Sequence, residues 1–384
     1  MKSIPYGKQS INPQDVQAVI KVLRGDWLTQ GPTVKAFEEA LCDYTGARYA
    51  LAVSNGTAAL HCAMLALGIG KNDSVVTSPI TFAASANCAL YVGANPRFVD
   101  IDNNTYHLDV ERLKDFLEVP SQAKRVKAVI PVHLMGTVSD VKAIRSICSK
   151  HGIRIVEDAA HALGAEYKNG NKWTKVGACV HSDIAIFSFH PIKHITTGEG
   201  GALLTNDKKI YETIRRLRHH GIVRSSNPRT AWLYDIPQVG FNFRITDFQC
   251  ALGISQLKRL DAMVKKRRDM VRRYNQAFSN YPQLRLPYER KNTKASYHLY
   301  VIRIANKKRD RLYDYLRQEN IFTQVNYIPV HLFSSYRRLG FRRGNFPVAE
   351  NYYNECLSLP LYEDLTLEQQ NRVINRVKGF LNHG

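Results

Sequence analysis

The chain reads as an α/β protein built on a mostly parallel sheet, followed by a smaller α+β unit. Three observations predict this. Short apolar runs alternate with helical patterns from Tyr49 to Val156. The pattern changes after Asp207, where basic helices and a polar stretch replace the alternation. The composition, 44% hydrophobic and 23% charged over 384 residues, is that of a globular protein with enough apolar material for a core. Length favours two units; we divide them at 1–250 and 251–384.

The elements follow in order. Asn12-Pro13 starts a helix, with Asn as cap and Pro at the first helical position, and Val16, Val19, Ile20 and Leu23 recur at helical spacing. Gly31-Pro32 opens a second, carried by Val34, Phe37, Leu41 and Tyr44. Strands are expected at Tyr49 to Val53, Ser74 to Thr77, Arg97 to Asp100, Val126 to Val132 and Ile153 to Val156. Helices are expected between them at Thr57 to Leu67, Ala83 to Tyr91, Val110 to Leu117, and from a Ser139 cap to Lys150. Ile184 to Phe187 and Ala202 to Leu204 add two strands. A basic helix follows Asp207, then a loop or flap from Arg224 to Pro237 and one long amphipathic helix from Thr246 to Phe278. Tyr297 to Ile304 alternates like a half-buried strand, and Lys308 to Gln318, Val348 to Leu357 and Leu367 to Leu381 read as helices.

Net charge is +21, from 54 Lys and Arg against 33 Asp and Glu. Such a field suits nucleic acid, an acidic membrane surface or small anions. The basic runs Arg215-Arg216-Leu217-Arg218, Lys265-Lys266-Arg267-Arg268, Lys307-Lys308-Arg309 and Arg337-Arg338 are scattered, without a nucleic-acid-binding motif, and read as solvated faces. No apolar run approaches the ~20 residues that span a bilayer. The seven cysteines form no CxxC pair, which argues against a zinc or iron–sulfur centre and for buried free thiols. With no signal-peptide pattern in MKSIPYGKQS, the chain is expected in the cytoplasm.

Chemistry is sought at the carboxyl ends of the parallel strands, where ligands gather. Ser54-Asn55-Gly56-Thr57 ends a strand and opens a helix, so its backbone N–H groups can cradle a phosphate or simply make a tight turn. Asp158 ends an apolar strand, where a carboxylate can pair with a protonated ring nitrogen, a metal or a ribose hydroxyl. Lys193 lies between the strand ending in Ser188 and the Gly-rich Thr197-Gly198-Glu199-Gly200-Gly201. A lysine in a dry cleft can act as a nucleophile or Schiff-base former. Together these are the parts needed for pyridoxal phosphate (PLP): a phosphate cradle, an acid for the pyridine nitrogen and an amine for the aldehyde.

Asp158-Ala159-Ala160-His161, Ser188-Phe189-His190-Pro191-Ile192-Lys193 and the Gly-rich turn resemble the DegT/DnrJ/EryC1/StrS sugar aminotransferases. Trp27 to Pro32, Thr81-Phe82 and Gly240-Phe241-Asn242-Phe243-Arg244 add to the match, which covers essentially the whole chain. The resemblance implies a fold-type I, PLP-dependent homodimer acting on nucleotide-linked keto-sugars. It assigns Lys193 to the cofactor's aldehyde and Asp158 to its ring nitrogen. Gly56, Thr57 and Ser188 go to the phosphate, Phe82 to the ring face and His161 to the neighbourhood of the ring oxygen. Asn242 goes to the phosphate in the neighbouring subunit.

Lys193 stands where dehydratase relatives carry His, which favours transamination. The segments Ile4 to Gly7, Ser78 to Ser85 and His190 to Thr197 resemble most the pseudaminic acid branch of the family. That branch aminates C4 of a UDP-linked 2-acetamido-2,6-dideoxy-4-hexulose with glutamate as donor. Tyr6 and His331 are then candidate substrate contacts, and Arg224 and Arg244 candidate anion ligands.

Overall fold

The computed structural model describes residues 2–305 and 308–383; Lys307 of the third basic run lies outside them. Its centre is a seven-stranded sheet. The strands are β1 (Tyr49–Val53), β2 (Ser74–Thr77), β3 (Asn95–Phe98), β4 (Val126–Ile130), β5 (Arg154–Asp158), β6 (Ile184–Ser188) and β7 (Gly201–Thr205). Their spatial order is β1-β7-β6-β5-β4-β2-β3. The neighbours from β6 through to β3 pair in parallel, while β7 is antiparallel to both β6 and β1. The reversal matters for function: β6 passes into β7 through the connection 189–200 over the strand ends, and Lys193 sits in it.

Most positions of these strands are buried because both sheet faces are covered, with β3 the exception in alternating. Ala50 and Ala52 of β1, Ala185 and Phe187 of β6, and Ala202 and Leu204 of β7 face one core with Phe37, Leu41, Cys250 and Leu257. The alternate residues Leu51, Val53, Ile184, Ile186 and Leu203 face the other, with Ala59, Met64, Cys88 and Ile214. The small Ala58, Ala59 and Ala63 let helix Gly56–Ala66 lie close on the sheet. All seven cysteines are free, six of them buried, as apolar packing residues.

A separate three-stranded antiparallel sheet has Tyr300–Ile304 between Leu284–Arg285 and Cys356–Leu359. Tyr300–Ile304 is buried at every position, not half-buried as its alternation suggests. Its one charge, Arg303, bonds Glu355 at 2.8 Å and lies near the rings of Tyr106 and Tyr352. The helix expected through Leu357 stops at Glu355, and Cys356 to Leu359 becomes a strand because Tyr300 to Arg303 supply its ladder partners.

Three further expectations are corrected. Asp140, not Ser139, caps helix Val141–Ser149; the Ser139 N–H is taken by His133 Nδ1 at 3.1 Å. The segment 224–237 contains an ordered hairpin, Val223–Arg224 paired with Tyr234–Asp235. The long helix is two, Asp247–Leu257 and Leu260–Phe278, broken at Lys258 and Arg259 without Gly or Pro. A tertiary cluster accompanies the break: Ser255, Gln256 and Arg259 all reach the fully buried carboxylate of Asp15, at 2.7, 3.0 and 2.7 Å.

Helix Leu260–Phe278 starts in one core with Met263 and Val264 and ends in another with Tyr274 and Phe278. Its Arg267 is 1% exposed, so the basic run around it is not wholly a solvated face. Nε and Nη2 of Arg267 donate to the two oxygens of Glu363 at 2.7 and 3.3 Å. Nη1 reaches the carbonyls of Tyr297, His298 and Leu361 at 3.2, 3.2 and 3.1 Å. Removing one partner strands a buried charge. Glu363→Ala is therefore expected to cost about 3–5 kcal/mol, read as a lower urea midpoint; an exposed Lys265→Ala should stay within about 0.5 kcal/mol.

Candidate active site

A cavity of about 950 Å³ opens over the carboxyl ends of β5 and β6. Of the residues singled out in the sequence, Tyr6, Gly56, Thr57, Phe82, Asp158, His161, Ser188 and Lys193 line it together. They come from positions scattered over nearly two hundred residues, brought together by the crossovers of the sheet.

Asp158 is the last residue of β5 and is buried. One carboxylate oxygen accepts from Ser85 Oγ at 2.5 Å and the other from the Ala160 N–H at 3.1 Å. Ser85 is itself held by Thr81 Oγ1 at 2.7 Å.

Lys193 follows β6, its N–H bonded to the His190 carbonyl at 2.9 Å. Burial pushes its ammonium down to about 8, and the Asp158 carboxylate opposes that push. The amine can therefore exist uncharged close to neutral pH.

The anion cradle is built at the start of helix Gly56–Ala66. Asn55 caps it by accepting the Ala58 N–H at 2.8 Å, which leaves the N–H groups of Gly56 and Thr57 without acceptors among the described residues. Ser188 faces this turn so closely that a Cβ on Gly56 would lie 3.2 Å from the serine's own Cβ. Gly201 is equally constrained: a Cβ there would lie 2.5 Å from the Asn55 backbone. Glycine at both places lets the cradle close against β6 and β7.

Phe82, 60% exposed, hangs over the cavity mouth, its ring edge-on to Tyr327 at 6.2 Å. His161 is buried, with Nε2 3.1 Å from the Tyr327 hydroxyl and Nδ1 unpartnered. Burial, then the nearby Lys193 and His194, push its imidazole well below the usual range. Burial raises the Tyr6 phenol.

Other expected contacts lie elsewhere. His331 does not line the cavity; it is fully buried, bonded to Glu350 at 2.9 Å and packed on Phe346, so it cannot touch substrate there and serves the fold. Asn242 is exposed and outside this chain's cavity, its backbone bridging to His219, although its neighbour Phe243 lines the wall. Arg244 bonds His219 at 2.9 Å in a separate depression of about 420 Å³ with Lys35, Arg215 and Arg218. Arg224 is exposed on the hairpin. Sequence reasoning did not single out Ser85, His298, Asn326 or Tyr327, which belong to the site or touch it. Their common signal is position: the last three come from segments flanking the second sheet, which only folding brings over the strand ends.

Free N–H groups with a hydroxyl suit a phosphate, a buried carboxylate suits a cationic ring nitrogen, and a partly neutral lysine suits an aldehyde. The orphaned Nδ1 of His161 adds an unused polar atom beside them. This donor set fits PLP.

The DegT/DnrJ/EryC1/StrS aminotransferase family matches residues 9–378. The chain belongs to that family. It is 38% identical to the spore coat polysaccharide biosynthesis protein SpsC of Bacillus subtilis, over 98% of this chain and 97% of that one. It is 37% identical to a UDP-4-amino-4,6-dideoxy-N-acetyl-beta-L-altrosamine transaminase of Campylobacter jejuni, over 95% and 94% of the two chains. The solved structure of Helicobacter pylori PseC, an aminotransferase involved in the biosynthesis of pseudoaminic acid, superposes with a TM-score of 0.91 at 31% identity over 100% of both chains. Further structural neighbours include PLP-bound forms. The protein is thus a PLP-dependent transaminase of fold type I. No described helix is long and apolar enough to cross a membrane.

In the cofactor-free protein, acylation of Lys193 followed by peptide mapping should be half-maximal near pH 8, against about 10.4 for surface lysines. Asp158→Asn should lower that midpoint further, because the lost carboxylate favoured the ammonium.

Proposed function

We propose that this aminotransferase moves an amino group from glutamate to the C4 keto group of a nucleotide-linked sugar. The sugar proposed is the UDP-linked 2-acetamido-2,6-dideoxy-4-hexulose of pseudaminic acid biosynthesis. The observation that carries the reading is Lys193 and Asp158 in one cavity beside a phosphate cradle, in a chain alike end to end to a transaminase of that chemistry. At about 950 Å³ the cavity is at the upper end of ligand pockets, roughly 300–1,000 Å³, as a sugar joined to a cofactor requires.

Bound PLP supplies an electron sink for the pair left when the donor's Cα proton departs. Asp158, held in place by Ser85 and the Ala160 N–H, would pair with the ring nitrogen of the bound cofactor. Gly56, Thr57 and Ser188 bind the phosphate and fix the ring's position. Phe82 covers one ring face and excludes water from it. Lys193 takes the proton from Cα of the donor and, in the second half-reaction, returns one to C4 of the sugar. Tyr6 borders the space left for the sugar.

We further propose a homodimer in which Asn242 reaches the phosphate bound by the partner. Its exposure outside its own cavity supports this, as do the exposed Trp27, Leu28, Trp232 and Val239, which a second subunit would cover. Seven unpaired cysteines fit a reducing cytoplasm. The likeness to SpsC favours a second reading, a different nucleotide-linked keto-sugar used for another polysaccharide.

Purified protein with glutamate and a panel of UDP- and dTDP-linked keto-sugars should give ping-pong kinetics and an amino-sugar from the UDP-linked 4-hexulose. Product mass and the configuration at the aminated carbon separate the two readings. Lys193→Ala should lose the visible cofactor band and at least about 10²–10⁴ in turnover; wild-type rates from that variant would end the assignment. Mixed Lys193→Ala and Asn242→Ala subunits, each inactive alone, should regain activity if sites are shared, and stay inactive if they are not.

A further inference from the structure

The turn that carries Phe82 also touches Asp158. Thr81 and Ser85 stand at its two ends, 1% and 0% exposed, so their bonds are closed to solvent. The Ser85 N–H closes the turn on the Phe82 carbonyl at 3.2 Å. The Ser85 hydroxyl lies 2.5 Å from Oδ2 of Asp158, 2.7 Å from Thr81 Oγ1 and 3.3 Å from the Phe82 carbonyl.

A serine hydroxyl has one proton and two lone pairs. Of the two acceptors in reach, the carboxyl oxygen is much the nearer, so the proton goes there. The bond between Ser85 and Thr81 is then made with the threonine's proton. Thr81 donates to Ser85 and Ser85 donates to Asp158, a chain of donors that runs from the turn to the end of β5. Asp158 is thereby gripped at both oxygens, with the Ala160 N–H on Oδ1 at 3.1 Å. A carboxyl held at one oxygen can swing about its Cβ–Cγ bond, where the torsion is soft. Held at both, its plane is fixed. Each oxygen offers about two acceptor sites and one donor uses one of them. The carboxyl of a residue that lines the cavity therefore still has capacity for a further N–H.

We infer that Ser85 is a positioning residue: its hydroxyl, oriented by Thr81, holds the Asp158 carboxyl in the plane that receives the cofactor's ring nitrogen. The inference rests on the proposed pairing of Asp158 with that nitrogen. Asp158 supplies the contact and Ser85 supplies its direction, so Ser85 acts on the cofactor only through Asp158. Without the hydroxyl, the Ala160 N–H alone leaves the carboxyl free to turn. The share of binding that depends on the ring nitrogen is then lost, while the phosphate cradle at Gly56 and Thr57 is untouched.

The cofactor-free protein tests this with two probes, pyridoxamine 5'-phosphate and its 1-deaza analogue, in which a C–H replaces the ring nitrogen. Titration calorimetry should give the wild type a clear preference for the first. Ser85→Ala should reduce that preference about ten-fold while binding the analogue as the wild type does. Thr81→Val, which keeps the side-chain shape, should reduce it less, and should add nothing in the Ser85→Ala background, where the chain is already cut. Equal weakening of both probes in Ser85→Ala would mean a merely structural hydroxyl, and an unchanged preference no role at all; either overturns the inference. Should Ser85→Ala fail to fold, an unchanged preference in Thr81→Val overturns it instead. Asp158→Ala separates the inference from the reading beneath it. A preference lost in Asp158→Ala but kept in Ser85→Ala overturns the role of Ser85 alone. A preference that survives Asp158→Ala overturns the pairing of Asp158 with the ring nitrogen, and the inference with it.

Discussion

A carboxylate at the end of a buried parallel strand has to be satisfied or neutralised, and the site is organised around how Asp158 is satisfied. Ser85 and the Ala160 backbone each donate to one of its oxygens. Its negative charge keeps the neighbouring Lys193 from losing its proton more readily than burial alone would dictate. The two groups therefore divide the labour of the cleft. One is an acid held by two hydrogen bonds, and the other is an amine whose proton burial loosens. Both depend on the reversal of β7, which bends the chain back over the strand ends and puts Lys193 above the sheet rather than on a helix.

The segments around the three-stranded sheet supply part of the cavity wall and the ties that hold it. Arg267 neutralises Glu363 and holds the carbonyls of Tyr297 and His298, so the segment leading to the second sheet is tied to the long helix before it reaches the cavity wall. That tie sets where the His298 ring meets His161. A buried ion pair of this kind contributes little net stability but defines position well. The large positive charge divides accordingly. Arg267 and Arg303 are structural and buried, whereas Lys35 and Lys265 are solvated. The +21 is compatible with anionic substrates.

Much of the sheet was legible because its strands are apolar on both faces and bounded by turn residues. The cradle and the Lys193 turn were legible because glycines, a cap residue and a lysine fall where parallel strands end. Legibility failed where tertiary partners overrule local pattern. The break at Lys258 and Arg259 has no Gly or Pro to announce it and coincides with a cluster on Asp15. Cys356 to Leu359 is a strand because Tyr300 to Arg303 lie ready to pair with it. His331 was expected at the substrate from the resemblance alone, yet Glu350 and Phe346 enclose it.

The sequence by itself determined the fold class, through the periodicity of its strands and helices, and the family, through the resemblance carried by motifs at strand ends; the residues proposed to hold the cofactor come from that same resemblance. Only the tertiary structure decided which of them share a cavity, how far the Lys193 ammonium is pushed down, and which nitrogen of His161 is engaged. Those properties depend on burial and on partners hundreds of residues away, such as Tyr327 and His298, and no local spacing encodes a distance of that kind.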